Sequence, residues 1–141
     1  MNGFFVNDSK HDVNASIVGS LASIPVVTDG TDVFVNSAST NAQITIALPA
    51  VAGKLNYVTG FEVSGVGSTA GGTINIHLDG IFGYPTYFVL KIPAGGAVDP
   101  LIVQFTRPIP AVALNTAISL VVPAFGLGST LQSASLHGFY K

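Results

Sequence analysis

An all-β fold is expected from this sequence: an eight-stranded antiparallel β-sandwich of jelly-roll type, preceded by an N-terminal arm. Three observations predict it. Apolar and polar residues alternate with period two in one segment after another. Clusters of Pro, Gly and Ser separate those segments at short, regular intervals. Only the first 31 residues offer any helical pattern. At 141 residues the chain is long enough for one core and short for two. The division is an arm over 1–31 and a β-domain over 32–141. An immunoglobulin-like sandwich is the second choice, but the chain has neither the cysteine pair nor the tryptophan that mark it.

In the arm, Phe4, Phe5 and Val6 form an apolar knot, followed by the polar run NDSKHD. Val13, Ile17, Val18 and Leu21 fit one helical face, and Asp12 is placed to cap it. Asn14, Ser16, Gly19 and Ser20 are poor helix residues, and Pro25 closes the segment. A short helix and an extended arm both remain open. Either form needs another surface to cover its apolar residues, and docking across a subunit or shell boundary is expected.

The β-domain opens with Val33 and Val35 on one face of a short strand and a polar turn over Ser37 to Asn41. Ile44, Ile46 and Leu48 then alternate with Thr45 and Ala47 until Pro49 removes a ladder donor. A long strand follows from Leu55, with Leu55, Tyr57, Thr59, Phe61 and Val63 in one row. Gly60 in its middle points to a bulge or a close backbone approach. After the small-residue loop GVGSTAGG, Ile74, Ile76 and Leu78 share a face, and Asp79-Gly80 turns the chain. Phe88, Leu90 and Ile92 line the next strand, before Pro93-Ala-Gly-Gly. Leu101, Val103 and Phe105 line a strand over 101–106 that stops at RPIPA. Ile118, Leu120 and Val122 form the seventh. In the last, over 131–140, Ala134, Leu136 and Gly138 oppose Ser133, Ser135 and His137. Ile46, Phe61, Ile76, Leu90, Val103, Phe105 and Leu120 are expected between the two sheets.

Charged residues make up 9% of the chain, where about 25% is typical. A monomer with its whole surface in water is poorly served by so few charges, so burial against further copies or a larger assembly is expected. Lys10, Lys54, Lys91, Arg107 and Lys141 are scattered, which leaves no basic patch for nucleic acid. Without cysteine there is no thiolate nucleophile and no zinc-thiolate site. No apolar run is long enough to cross a membrane as a helix, and the N-terminus lacks the pattern of a secretory leader.

Constellations with chemistry are sparse. His77 and Asp79 share a strand face, but a turn aspartate bonded to backbone amides accounts for Asp79 equally well. His11 and Asp12 lie in the arm, and His137 stands alone. Glu62 is the only glutamate and has no second carboxylate for glycosidase work. No nucleophile elbow, phosphate loop or metal-ligand spacing occurs, so neither an enzyme nor a cofactor is expected. Phe82, Tyr84 and Tyr87 gather around one connection, where they would serve a subunit contact or stack on a sugar. With Phe4, Phe5, Val6, Ile17, Val18 and Leu21 they are the candidate subunit or shell contacts.

The phrases LPAVAGKLNYVTGFEVSG (48–65), TINIHLDG, LKIPAGG (90–96), PLIVQFTRPIPAVALNTAISLVVPAFG (100–126) and SLHGFYK (135–141), in that order, resemble the jelly-roll head-decoration, or cement, and accessory virion proteins of tailed bacteriophages. The resemblance covers roughly 40–141 and leaves out the arm. It implies a homotrimer on the outer capsid surface, bound to the major capsid protein and stabilising the shell. The competing reading is a carbohydrate-binding module of a phage fibre or tail.

Overall fold

The computed structural model describes residues 30–141. The expectations for the arm, including Phe4, Phe5, Val6, Ile17, Val18 and Leu21, lie outside them. Thr31–Lys141 form one compact unit of eight antiparallel strands, with no helix among the described residues. The strands are β1 (Thr31–Ser39), β2 (Ile44–Leu48), β3 (Asn56–Val66), β4 (Gly72–Asp79), β5 (Thr86–Ile92), β6 (Ala97–Pro110), β7 (Ile118–Val122) and β8 (Gln132–Tyr140). They make two four-stranded sheets, ordered β1-β8-β3-β6 and β2-β7-β4-β5. Each connection carries the chain from one sheet to the other, except the hairpin joining β4 to β5.

The sheets face each other across a core built by the alternating rows. Ile44, Ile46 and Leu48 of β2 lie beside Val122, Leu120 and Ile118 of β7 across the ladder, and all are buried. From the other sheet come Val58, Phe61 and Val63 of β3 with Ala134 and Leu136 of β8. Phe61 meets Phe88 of β5 edge to face, with ring centroids 5.0 Å apart, so this aromatic pair bridges the two sheets.

Four expectations are corrected. The row on β3 does not run unbroken from Leu55 to Val63. Between Val58 and Gly60 the register slips against both neighbours: Val58 pairs with Gly138, and Gly60 with His137, leaving Thr59 as an extra residue. A bulge of this kind reverses which residues face inward. Before it Asn56 and Val58 are buried, and after it Phe61 and Val63, while Tyr57 turns outward and stacks on Phe139 at 4.9 Å. Against β6 the slip is larger, with Phe105–Pro108 opposite the single Thr59.

Next, β6 runs from Ala97 to Pro110, well beyond 101–106 at both ends. It is an outermost strand, where proline removes no ladder bond if its nitrogen faces away from the neighbour, so RPIPA does not stop it. The same position explains the third correction. Val103 and Phe105 are half-buried, because a strand at the rim is covered from one side only. Lastly, β1 does not end in a turn at Ser37. Pairing with β8 continues to Ser39 opposite Gln132, and the ladder overrides the turn preference of Ser and Asn.

Two buried amides tie the loops to the sheets. Asn56 donates from Nδ2 to the carbonyls of Pro49 (2.9 Å) and Thr116 (2.8 Å). At the opposite end Gln132 donates to the carbonyl of Ala42 at 2.8 Å and accepts from the amide of Phe125 at 3.0 Å. Both side chains sit where loops leave the ladder, and they satisfy backbone groups that neither sheet reaches.

Three stability outcomes follow. Phe61→Ala should cost about 3–5 kcal/mol in urea titration, and Phe105→Ala clearly less, because its ring is only partly covered. Gly138→Ala should cost about 1–3 kcal/mol, since a Cβ there would overlap the Tyr57 carbonyl and Leu48 Cδ1. Gln132→Leu should cost about 1–3 kcal/mol for the backbone groups left unpaired. Equal losses for the two phenylalanines would contradict the rim position of β6.

Candidate functional site

The unit has two ends. One carries loops 49–55, 80–85 and 111–117 with the C-terminus, and the other carries loops 40–43, 67–71, 93–96 and 123–131. At the first end the loops are knitted by backbone bonds. Leu55 and Lys141 exchange amide–carbonyl bonds at 2.9 and 3.2 Å, Asn115 donates from its amide to the Lys54 carbonyl at 2.9 Å, and Val112 donates to Gly80 at 2.9 Å. Asn115 Oδ1 also accepts from the Gly53 amide at 2.6 Å. The frame is fixed, and its outward side chains are largely apolar.

Loop 80–85 is built by local constraints. Gly80 lies at φ +90° against the Ala117 carbonyl, where a side chain has no room, and Ile81 is fully buried beneath it. Phe82 comes next at φ +53°, in the left-handed region that a bulky residue rarely adopts. Its ring is 56% exposed, and Tyr84 is 67% exposed. Val112 and Leu114, on the neighbouring loop, are also exposed. A strained backbone thus holds an aromatic ring out in water beside three further exposed side chains with large apolar surface. Clustered exposed apolar surface of this kind is a feature of interaction surfaces, and backbone strain of functional ones.

Tyr87 stands apart from this loop face. It lies on the outer face of the second sheet, cross-strand from His77, with ring centroids 5.3 Å apart. The three aromatics expected to act together therefore divide between a loop and a sheet face. Val112 and Leu114 were missed, although the apolar run PAVAL between RPI and Asn115 was the available signal.

His77 and Asp79 do approach, with Nε2 and Oδ2 3.4 Å apart on an open sheet face, and His77 Nδ1 has no hydrogen-bond partner. No group of three His, Asp or Glu side chains fit to hold a metal occurs among the described residues. His137 is placed edge-on to Phe34 at 5.0 Å, and its Nε2 lies 3.5 Å from Ser135 Oγ, too long for an activated hydroxyl. Glu62 lines a shallow hollow of about 260 Å³ together with Asn36, Ser64, Ser133 and Ser135, open to solvent on the outer face of the first sheet. These groups lack the enclosed, mutually oriented geometry that acid–base or nucleophilic chemistry requires.

No family model matches the chain, and neither a curated protein nor a solved structure matches it.

Phe82 offers a direct check on this geometry. Phe82→Gly should change stability by less than about 1 kcal/mol, because relief of the left-handed backbone offsets the loss of a ring that is only partly covered. A loss above about 1 kcal/mol in urea titration would show that the ring packs on the domain.

Proposed function

We propose that the chain is a structural virion protein of a tailed bacteriophage, a trimeric decoration protein that binds the outside of the capsid and stabilises the shell. The observation that carries this reading is the loop face of Phe82, Tyr84, Val112 and Leu114: large apolar surface held out on a rigid frame in a chain with few charges. Such a surface suits a protein that works by being covered. The order of sequence phrases supports the phage assignment, and the strand order supports a jelly roll. Sheets ordered β1-β8-β3-β6 and β2-β7-β4-β5, with the chain changing sheet at every step but one, have the connectivity of two nested Greek keys.

The mechanism is mass action. A protein that binds the assembled shell and not its free subunits shifts the equilibrium toward the shell. Joining three copies makes three weak footprints one linked binding event. The domain needs no catalytic group or cofactor for this task; it needs a stable frame and an adhesive face. Tyr84, 67% exposed on the loop, favours one competing reading, in which it stacks on a sugar.

The test is to add the purified chain to undecorated phage shells and follow binding by co-sedimentation and shell melting. Wild type should co-sediment and raise the melting temperature, with a mass in solution that is a multiple of three chains. Phe82→Ser with Leu114→Ser should weaken binding at least tenfold while leaving the fold intact. Saturable glycan binding lost in Tyr84→Ala, without shell binding, would favour the sugar reading instead.

A further inference from the structure

The outermost strands of a sheet leave a row of backbone groups unpaired, and proteins blunt such edges with prolines, charges or bulges. On one side of the sandwich the two rims are β6 and β5. They are treated differently. The rim strand β6 carries Pro100, Pro108 and Pro110 and is bulged twice. Its counterpart β5, TYFVLKI, has no proline, no glycine and one charge, Lys91. It also has no bulge against β4. Its outward side chains Tyr87 and Val89 are 61% and 68% exposed, and nothing among the described residues pairs with its free edge.

We infer that β5 pairs edge to edge with β5 of a second copy, antiparallel about a twofold axis at Val89, which joins the two sheets into one of eight strands. The occupant follows from the strand's fit to itself. A continuous sheet requires outward residues to face outward residues across the new pair, so the axis must pass through a residue. Centred on Val89, all seven residues of β5 find partners. Phe88 then lies opposite Leu90 on the inner side. On the outer side Tyr87 lies opposite Lys91, so the one cation of each strand meets an aromatic ring and not the other cation. Centring on Phe88 or Leu90 leaves residues at the strand ends without partners and gives up the Tyr87–Lys91 match.

This contact is isologous and does not depend on the proposed function. It is compatible with a threefold interface elsewhere on the unit, since twofold and threefold axes together generate a closed hexamer or links between neighbouring trimers.

Because the chain contains no cysteine, Val89→Cys creates a single thiol whose only disulfide is between copies. Directly opposed residues of an antiparallel pair have Cα atoms about 4.5–5.5 Å apart, within disulfide range. Under mild oxidation most V89C chains should run as dimers on a non-reducing gel. An equimolar mixture of Tyr87→Cys and Lys91→Cys should cross-link far more than either variant alone. Leu127→Cys, 82% exposed in the loop joining β7 to β8 and off the β5 edge, should cross-link at least tenfold more slowly than V89C. Val89→Lys, which sets two ammonium groups face to face, should halve the mass seen by sedimentation equilibrium without changing the circular dichroism spectrum. The inference is overturned if wild type sediments at 100 μM as a monomer or as a free trimer. It is also overturned if V89C reacts no faster than L127C, or if the β5 edge is occupied only by an extended peptide from another protein.

Discussion

At Thr59 the strand between β8 and β6 holds one residue more than β8 opposite it, and that surplus decides which side chains meet in the core. Without the extra residue, a row that begins with Val58 facing inward would present Gly60 and Glu62 to the core. With it, Phe61 and Val63 turn inward and Glu62 reaches solvent. The Phe61–Phe88 pair that spans the sandwich exists only because of this change of phase. Two glycines make the slip possible. Gly60 lies against the Val103 carbonyl, and Gly138, cross-strand from Val58, lies against the Tyr57 carbonyl and the Leu48 side chain. The backbones approach closely at the one place where the pleat is broken, and β2 packs down on the same spot.

Much of the fold was legible because period two is a local signal. Ile44/Ile46/Leu48, Ile76/Leu78 and Ile118/Leu120/Val122 are buried as alternation requires, and the glycines and prolines stand where the chain leaves the ladder. What escaped depends on neighbours distant in sequence. Gly60 announced an irregularity, but the phase of β3 beyond it is set by pairing with Gly138 and His137, nearly eighty positions later. The prolines of RPIPA read as a stop and lie within a strand, because only the sheet order reveals that β6 is a rim. Asn56 and Gln132 carry no local sign of burial. They are buried because orphaned carbonyls and amides of remote loops converge on them.

The candidate site was legible in part. Exposed Phe82, Tyr84 and Tyr87 follow from an aromatic cluster in a connection of a charge-poor chain. Their division between a loop and a sheet face does not, since it depends on where the β4–β5 hairpin ends. Val112 and Leu114 join Phe82 only through the backbone bond from Val112 to Gly80, a contact between segments some thirty residues apart.

The sheet-switching path has a consequence for how the domain comes into being. Among the described strands only the β4–β5 hairpin pairs neighbours in sequence, so almost every ladder closes a long loop before any contact repays the lost entropy. The strand that divides β1 from β3 is β8, the last to be synthesised. Until it leaves the ribosome, β1 has no partner among the described strands of its sheet, and of these β3 can pair only with β6. The nascent chain must therefore carry exposed apolar strands until β8 emerges, and the domain closes in one late, non-local step.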